Sequence, residues 1–274
     1  MYSRVYIEIT NICNLRCSFC HGHSRPAGQM TEAQYARVLA QLAGKTQYLY
    51  HHLMGEPLVH PLLPRFLEMA SAAGFRPMLT TNGTLLDRHG DALLSVGLHK
   101  VNISLHSFED GQEDAHRAYL QKIAAFAEKA NRAGIIISLR LWNNGCDGGK
   151  NSTALAVLKE SLVGDWAENT RGYRVRDGLF LEWGDRFQWP DANAPEGGDD
   201  LFCHGLKDHF GILCDGTVVP CCLDSEGGRA LGNVFREALS DILASPRATA
   251  IAEGFRRRKA AEDLCRRCGY ARRF

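Results

Sequence analysis

The chain has 274 residues, enough to bury a substantial core as one large domain or as a domain with an appendage. Its 32 Lys and Arg residues nearly balance 31 Asp and Glu residues, and the formal charge of +1 disfavours a polyanionic partner such as nucleic acid. No window approaches the roughly 18 to 20 apolar residues that a membrane-spanning helix needs, so a membrane role has no support in the sequence.

The ten cysteines help to predict the cellular compartment of the protein. The chain begins Met1-Tyr2-Ser3-Arg4 and enters a strand pattern directly, without an apolar signal segment. A chain of this kind is expected in a reducing compartment, where its cysteines ligate metal rather than form disulfides. We therefore predict a cytoplasmic location.

The first strand pattern leads into a loop that carries three of the cysteines. The β-branched and aromatic run at 5–9 predicts a strand, and Cys13, Cys17 and Cys20 follow within one eight-residue stretch. After the loop, residues 31–34 have the form of a capping box, which predicts a helix that ends at Gly44. The pattern is that of one strand-helix unit.

The same alternation then repeats along the chain. Strands are predicted near 48–53, 78–81, 101–105, 135–141 and 179–183, and helices near 62–73, 91–96, up to about 133, and 152–162. The regular order of about six units predicts an α/β fold with a parallel sheet, either open and doubly wound or a partial barrel. In both architectures the active site lies at the carboxyl ends of the strands.

A stretch rich in Pro, Gly and Asp at 189–200 predicts a linker between two domains, 1–190 and 191–274. The second domain is dense in cysteine, and Asp215-Gly216 is a hairpin turn signal within it. Its six cysteines are Cys203, Cys214, Cys221, Cys222, Cys265 and Cys268.

The three thiols of the first loop indicate metal chemistry. Three thiolates on one loop can hold three irons of a cubane cluster and leave the fourth iron open to an exogenous molecule. A structural zinc site is the alternative, since His21 or His23 would complete a Cys₃His set. A closed zinc site usually pairs two short ligand spacings, so the single three-thiol loop favours iron and sulfur.

The spacing of Cys13, Cys17 and Cys20, with Phe19 as the aromatic residue, resembles the CxxxCxφC signature of the radical S-adenosylmethionine (SAM) superfamily. The resemblance implies a partial (β/α)₆ barrel and a [4Fe-4S] cluster whose open iron binds SAM. It also implies that an electron from the cluster cleaves SAM to methionine and a 5′-deoxyadenosyl radical, which abstracts hydrogen from the substrate. An external one-electron reductant such as flavodoxin or ferredoxin would supply that electron.

Two further segments resemble motifs of the same family. Gly55, Glu56 and Pro57 match its GGEP motif, which meets the amino group of SAM, while Met54 replaces the first glycine. Asn82 belongs to a segment like the family's TNG, although Asn-Gly is also an ordinary turn signal. We expect both segments to bind SAM.

The fourth and fifth predicted strands end in polar residues. Ser104 and His106 share one face of the fourth strand, and by resemblance they face the ribose and carboxylate of SAM. His106 stands where relatives have an acidic residue, so proton transfer and a satisfied core histidine are its alternatives. Arg140 is expected to bind the carboxylate of SAM, with a surface ion pair as its alternative.

The cysteine-rich segment resembles the SPASM/Twitch extension, because a glycine-to-Cys221 hairpin element precedes the closing pair Cys265 and Cys268. By that resemblance Cys203, Cys221, Cys265 and Cys268 hold one auxiliary [4Fe-4S] cluster, with Cys222 as the competitor of Cys221. A structural zinc at the same four thiols is the alternative.

The leading hypothesis is a radical SAM enzyme that acts on a peptide or a small molecule. A cluster with four protein ligands has no open iron and more naturally passes an electron, which favours net oxidation of the substrate. One alternative is a redox-neutral epimerase that uses Cys222 as its hydrogen donor. The other is a non-catalytic iron-sulfur or zinc module, which does not explain the three-thiol loop. The sequence leaves the identity of the substrate open.

Overall fold

The computed structural model describes residues 1–109 and 111–273, and within them eleven strands form one sheet. The strands are β1 (Arg4–Ile7), β2 (Tyr48–His51), β3 (Arg76–Thr81), β4 (Lys100–Ser104), β5 (Ile136–Leu141), β6 (Ala167–Asn169), β7 (Gly172–Arg176), β8 (Leu179–Trp183), β9 (His209–Ile212), β10 (Thr217–Val219) and β11 (Gly232–Asn233). Their spatial order is β11-β10-β9-β1-β2-β3-β4-β5-β8-β7-β6.

The helices follow the strands of the first part and then crowd toward the carboxyl end of the chain. They are α1 (Glu32–Leu42), α2 (Leu63–Ala72), α3 (Leu86–His89), α4 (Glu113–Arg132), α5 (Lys150–Ser161), α6 (Leu239–Leu243), α7 (Pro246–Arg256) and α8 (Asp263–Arg266). Short 3₁₀ turns lie at Pro57–Val59, Asp91–Leu93, Leu105–Ser107 and Ala271–Arg273. Within the described residues no helix is long and apolar enough to cross a membrane.

Six consecutive neighbours in the sheet, β1, β2, β3, β4, β5 and β8, pair in parallel. This confirms the predicted α/β fold with six parallel strands. Arg140 on β5 interacts electrostatically with Tyr6 on β1, four strands away. This proximity indicates that the sheet curves. The result matches the partial (β/α)₆ barrel expected from the family resemblance.

Alternation along each strand separates the helix-covered side of the sheet from the barrel interior. On β1, Val5 and Ile7 are fully buried in the apolar core, whereas Arg4 and Tyr6 take the other face. The first helix begins as predicted. Thr31 caps it through a complete capping box with Gln34, which satisfies backbone N–H groups that have no partner within the helix.

Three local features differ from the sequence-based expectation. The helix expected at 91–96 is wrong, since α3 and a 3₁₀ turn occupy 86–93 instead. The antiparallel hairpin of β6 and β7 was not expected, and it extends the sheet beyond β8. Strand β9 lies parallel to β1, so the cysteine-rich part continues the sheet of the first part. Such pairing over about two hundred residues leaves no local pattern in the sequence.

The hairpin predicted around Asp215-Gly216 is confirmed, because β9 and β10 pair in antiparallel fashion across this turn. Gly216 has φ +87, a conformation that favours glycine. Strands from both sides of residue 190 belong to one sheet, and this pairing does not decide whether a domain boundary lies there. The boundary at 190 therefore stays a prediction.

Candidate metal and cofactor site

A cavity of about 470 Å³ opens where the parallel strands end, which is the place that the fold class predicts for an active site. It collects the three thiols of the first loop and most of the residues expected to bind SAM. Among its lining residues are Cys13, Cys17, Phe19, Cys20, Gly55, Glu56, Asn82 and Ser104.

The cysteine loop, residues 13–20, is fixed on one side by the turn after β2. The backbone N–H of Glu56 donates to the carbonyl of Ile12 at 2.9 Å. Gly55 has φ +76, and a Cβ there would lie 2.5 Å from the carbonyl oxygen of Thr10. Only glycine fits this approach, so the GGEP-like motif holds the chain that enters the cysteine loop.

The carboxylate of Glu56 is buried against the end of β3. It accepts hydrogen bonds from the Thr81 hydroxyl and the Asn82 N–H, both at 2.7 Å, and from the Leu58 N–H at 3.0 Å. Burial raises the pKa of Glu56 to about 7, and these hydrogen bonds oppose the rise. Glu56 therefore joins the second and third strand ends and also lines the cavity, while its contact with SAM stays a prediction.

Asn82 connects the third strand to the cysteine loop. Its amide donates to Asn14 at 2.9 Å, and its side-chain oxygen accepts from both the N–H and the hydroxyl of Thr84. The Asn82 side chain thus shapes the loop from within the cavity wall. Binding of SAM by Asn82 itself stays a prediction.

The opposite side of the loop is held by residues beyond β4 and in the predicted linker. Glu109 accepts from both the N–H of Ser18, at 2.7 Å, and its hydroxyl, at 2.5 Å. The Trp189 indole donates to the carbonyl of Phe19 at 3.1 Å, and the Phe19 ring lies 4.9 Å from that of His106. The loop is therefore anchored along its length.

The three loop thiols face solvent or the cavity. Cys13 and Cys20 are exposed and Cys17 is half-buried, with its thiol 3.6 Å from the carbonyl oxygen of Ser107. Partial burial raises the pKa of Cys17 to about 11. A positively charged cluster would favour the thiolate form that ligation requires, so this donor set suits iron.

Neither His106 nor Arg140 lines this cavity, although the His106 ring contacts Phe19 at its wall. The Nδ1 atom of His106 is 3.1 Å from the Arg140 carbonyl oxygen, and its ring borders a second cavity of about 270 Å³ beside the loop. Arg140 donates to Asn102 at 2.7 Å, and its Nε lies 3.6 Å from a carboxylate oxygen of Glu182. The structure does not bring Arg140 to the thiols, and its role toward SAM stays a prediction.

A second group of thiols meets at a cavity of about 90 Å³, which we call the auxiliary cavity. It is built from the linker end, the β10 end, and the last two helical segments. All four predicted auxiliary ligands and their competitor line it, namely Cys203, Cys221, Cys222, Cys265 and Cys268. Folding thus gathers thiols that are up to sixty-five residues apart.

The thiols of the auxiliary cavity destabilise one another's anions. Burial, and after it the neighbouring Cys203 and Cys268, raise the pKa of Cys265 to about 12. Burial is also the main cause of the raised pKa of Cys221, with Cys222 and Cys203 as the next contributors. Thiolates that destabilise one another in this way require a cationic partner, which the irons of an iron-sulfur cluster would provide.

Cys221 and Cys222 have different neighbours. Both thiols interact with Cys203, but Cys222 is also hydrogen-bonded to the Tyr6 hydroxyl on the inward face of β1, whereas Cys221 also interacts with Cys265. This arrangement favours Cys221 as the ligand and leaves Cys222 toward the barrel interior. The choice between them stays a prediction.

The spacing of the thiols bears on the zinc alternative. In the described part of the chain, no three His, Cys, Asp or Glu side chains are gathered closely enough to hold one metal ion. A zinc site needs such a group, because all of its ligands meet at a single ion. In a cubane each thiolate binds a different iron, so the two kinds of site ask for different spacings of the thiols, and zinc stays the alternative at both cysteine sets.

Sequence reasoning missed Glu8, which joins the segment after the cysteine loop, the turn after β2 and the end of β9. Its carboxylate is fully buried and pairs with Arg25 at 2.7 Å. It also accepts from the backbone N–H groups of Met54 and Cys214, both at 3.2 Å. A single acidic residue at the end of an apolar strand was the available signal, since a buried charge needs partners.

Comparison with known proteins agrees with this geometry. The family model described as "Radical SAM superfamily" matches residues 7–143, and the one described as "Iron-sulfur cluster-binding domain" (SPASM) matches residues 203–269. The first match contains the cysteine loop and the turn after β2. The second contains all four predicted auxiliary ligands.

Curated relatives carry the name GTP 3′,8-cyclase. The chain is 38% identical to the one from Chlorobaculum tepidum over 109 residues, which cover 38% of this chain and 33% of that protein. It is 30% identical to the one from Microcystis aeruginosa over 291 aligned positions, covering 85% of each chain. Matches to several others span less than half of the relative's length.

Solved structures share the fold at low identity. The structure titled "Crystal structure of BtrN in complex with AdoMet and 2-DOIA" has a TM-score of 0.61 and 18% identity, covering 98% of this chain and 93% of that one. The structure titled "Native anSMEcpe with bound AdoMet and Kp18Cys peptide" has a TM-score of 0.62 and 15% identity, covering 97% and 88%.

Proposed function

This chain belongs to the radical SAM superfamily and carries a SPASM iron-sulfur domain, and from that premise we propose that it oxidises a peptide or small-molecule substrate by hydrogen abstraction. The enzyme uses a [4Fe-4S] cluster, SAM and an auxiliary iron-sulfur cluster. The observation that carries the proposal is that two separate sets of thiols line two cavities on one curved sheet.

We assign the loop thiols Cys13, Cys17 and Cys20 to the SAM-binding cluster. Three protein ligands leave one iron open, and this cluster then supplies the electron that cleaves SAM and generates the 5′-deoxyadenosyl radical. The protein's own contribution is position: Gly55 and Glu56 fix one side of the loop, and Glu109 fixes the other.

We assign Cys203, Cys221, Cys265 and Cys268 to the auxiliary cluster. The substrate loses a hydrogen atom to the adenosyl radical, and then loses one electron and one proton to complete a two-electron oxidation. Cys203, Cys221, Cys265 and Cys268 would hold a cluster able to take up that electron and return it to an external carrier of the flavodoxin or ferredoxin class. The same class of carrier delivers the electron that SAM cleavage consumes.

A redox-neutral epimerisation is the second candidate, and the position of Cys222 favours it. The Cys222 thiol contacts the Tyr6 hydroxyl, and Tyr6 in turn lies edge to face with His52, which lines the cavity of the loop thiols. A thiol on this interior path would return a hydrogen atom to the opposite face of the substrate radical. No electron would then reach the auxiliary cluster.

Turnover in D₂O separates these two functions. Oxidation gives a product without solvent deuterium at the reacting carbon, and Cys222→Ala remains active. Epimerisation gives a product with one solvent deuteron, and Cys222→Ala cleaves SAM without inverting the substrate. Anaerobic reconstitution followed by assay of 5′-deoxyadenosine comes first, because failure to cleave SAM would remove both candidates.

The relatives and structural neighbours support both substrate classes. Relatives named GTP 3′,8-cyclase and the BtrN complex with 2-DOIA point to small molecules, whereas the anSMEcpe complex contains a peptide. Likeness at these identities supports the chemistry but not the choice of substrate. The substrate therefore has to be sought among both classes in the assay.

A further inference from the structure

Two separate stretches of chain border the cavity of the loop thiols. The first leaves the cysteine loop at residues 22–28, and we call it the post-loop segment; its Gly22 and His23 line the cavity. The second is the turn after β2, whose residues 53–56 line the same cavity. A molecule bound there therefore depends on how these two walls are placed relative to each other.

The post-loop segment is held by side chains, because residues 22–28 contain no helix or strand. The Nε atom of Arg25 donates to the Ser225 carbonyl at 2.7 Å. The backbone N–H and the hydroxyl of Ser24 donate to the two carboxylate oxygens of Glu226, at 2.7 and 2.8 Å. These contacts attach one wall of the cavity to the cysteine-rich part of the chain.

A single carboxylate joins the post-loop segment to the turn after β2. Glu8 directly follows β1, and it is fully buried. Its Oε2 atom accepts from Arg25 at 2.7 Å and from the Met54 N–H at 3.2 Å. Its Oε1 atom accepts from the Cys214 N–H at 3.2 Å. One oxygen atom thus links both walls of the cavity.

This ion pair is better suited to fixing positions than to adding stability. Taking two charges out of water is costly, and well-packed apolar residues in the same place are often equally stable or more so. Hydrogen bonds to an ionised group, in contrast, are short and hold their partners in a defined geometry. The Glu8 carboxylate holds one side chain and two backbone N–H groups in this way.

We propose that Glu8 and Arg25 are positioning residues for SAM, which keep the post-loop segment and the turn after β2 at the separation that bound SAM requires. The inference rests on the proposed assignment of this cavity to SAM. Neither Glu8 nor Arg25 is among the described residues that line the cavity, so both act through the backbone that they hold. Because Arg25 also binds Ser225, the same wall depends on the cysteine-rich part of the chain.

Asn11 provides a second hold on the post-loop segment. Its carbonyl oxygen lies 2.9 Å from Nε2 of His23. Its side chain donates to the Pro26 carbonyl and accepts from the Gly28 N–H, both at 2.8 Å. Loss of Arg25 should therefore shift the segment without releasing it, which predicts weaker SAM binding with the loop cluster retained.

The competing explanation is that the ion pair only stabilises the fold, and the chain offers a matched control for it. Arg176 and Glu128 form an ion pair of 2.8 Å whose side chains are largely buried. Arg176 also donates to a backbone carbonyl, that of Val163, as Arg25 does to Ser225. Neither member of this second pair is among the described residues of the cavity wall.

The first test measures SAM binding by anaerobic equilibrium dialysis, with the full chain, both clusters reconstituted and no reductant present. Arg25→Met should weaken SAM binding about tenfold or more, because hydrogen bonds to a buried charge are lost. Its iron content, and its rate of 5′-deoxyadenosine formation at saturating SAM, should stay close to those of the native chain. Arg176→Met should bind SAM as the native chain does, although it also loses stability in urea unfolding.

A double variant separates position from stability. Arg25→Met alone leaves the Glu8 carboxylate buried without its cation, which is destabilising. Adding Glu8→Gln removes that charge and keeps an oxygen that accepts from the Met54 and Cys214 N–H groups. The double variant should regain most of the lost stability in urea unfolding and still bind SAM weakly, because no side chain links the two walls. It also replaces Arg25→Met in the dialysis if that variant does not fold.

Amide hydrogen exchange of the reconstituted chain without SAM gives a readout that is independent of turnover. Peptides that cover 22–28 and 53–56 should both exchange faster in the double variant than in the native chain, since the two walls share one hold. Arg176→Met should leave both peptides unchanged.

Three results would overturn the proposal. The first is native SAM affinity in both Arg25→Met and the double variant. The second is a double variant that recovers stability and SAM binding together, which would show that the pair serves stability alone. The third is faster exchange of the post-loop segment with no change at 53–56. A native chain that takes up both clusters but binds no SAM would instead refute the proposed function.

Discussion

The cysteine loop and the auxiliary cavity present their thiols in opposite ways. Two of the three loop thiols are exposed, and all three come from one eight-residue segment. The four assigned auxiliary thiols are half-buried or buried and come from three segments that meet only in the folded chain. One set is shaped by its immediate surroundings, and the other by the tertiary structure as a whole.

This difference in exposure suits two different functions, SAM binding and electron transfer. A cluster that binds and releases SAM needs an accessible iron beside an open cavity, which an exposed loop provides. A cluster that only transfers electrons benefits from burial, since a dry and fully ligated site excludes exogenous ligands. Under the proposed assignment, the chain builds its exchangeable site from a loop and its closed site from packed segments.

The largest effect should follow loss of the loop thiols. Replacing Cys13, Cys17 and Cys20 together by Ala should abolish SAM cleavage and leave about four irons on the auxiliary thiols. Iron analysis and assay of 5′-deoxyadenosine measure both outcomes. The exposed Cys146→Ala variant is the control and should keep both clusters. Continued production of 5′-deoxyadenosine by the triple variant would refute the assignment of the first site.

The converse change should separate the two sites further. Cys265→Ala with Cys268→Ala should remove about four irons while SAM cleavage persists, because the cysteine loop does not depend on these thiols. Iron content, the spectrum of the remaining cluster and 5′-deoxyadenosine yield are measured on the same sample. Full iron content, or a module that binds zinc after anaerobic reconstitution, would contradict the auxiliary-cluster assignment.

The contrast also explains what the sequence could reveal. The cysteine loop was predictable because its ligands, its aromatic residue and its leading strand are contiguous. Six parallel strands followed from the strand-helix alternation, and the capping box at Thr31 formed as expected. These features depend on residues that are near one another in the chain.

Long-range features escaped prediction for the same reason. No local sequence pattern predicts that β9 pairs with β1, or that Glu8 joins Arg25 to the backbone of Cys214. Arg140 was expected at SAM because a charge ends an apolar strand, but its partner Glu182 lies on a strand some forty residues later. The pairing of side chains across a curved sheet depends on the register, which the sequence pattern does not specify.

The tight fit behind the cysteine loop can be tested with a pair of glycines. Gly55 and Gly74 have similar backbone conformations, φ +76 and +83, but a Cβ at Gly74 would meet nothing within 4 Å. Gly74→Ala should therefore cost about 1 kcal/mol for the strained conformation alone. Gly55→Ala should cost at least about 2 kcal/mol more and lower the iron content of the loop, since the new methyl group meets the Thr10 carbonyl. If chemical unfolding shows that both variants lose the same free energy of unfolding, the close contact between residue 55 and the Thr10 carbonyl does not limit stability.

The smallest predicted effect concerns the sheet that the two sites share. His51 on β2 is fully buried, accepts a hydrogen bond from the Tyr35 hydroxyl at 2.6 Å, and lies 3.2 Å from the Met78 carbonyl oxygen. Burial lowers the pKa of His51 from 6.5 to about 4. Below pH 6.5 the unfolded chain therefore binds a proton that the folded chain does not accept. The stability that depends on neutral His51 is complete above pH 6.5 and is lost as the pH falls toward 4.

Between pH 6.5 and 5 this single group should lower the free energy of unfolding by about 2 kcal/mol. Urea unfolding at both pH values should show that loss in the native chain, and a loss smaller by that amount in His51→Gln. His89→Gln, at an exposed histidine, should keep the native pH dependence. Because β2 pairs with β1, and β1 pairs with β9, acid should destabilise the surroundings of both thiol sites in one transition. Two separate transitions, or an unchanged slope in His51→Gln, would show that the two sites do not depend on this common core.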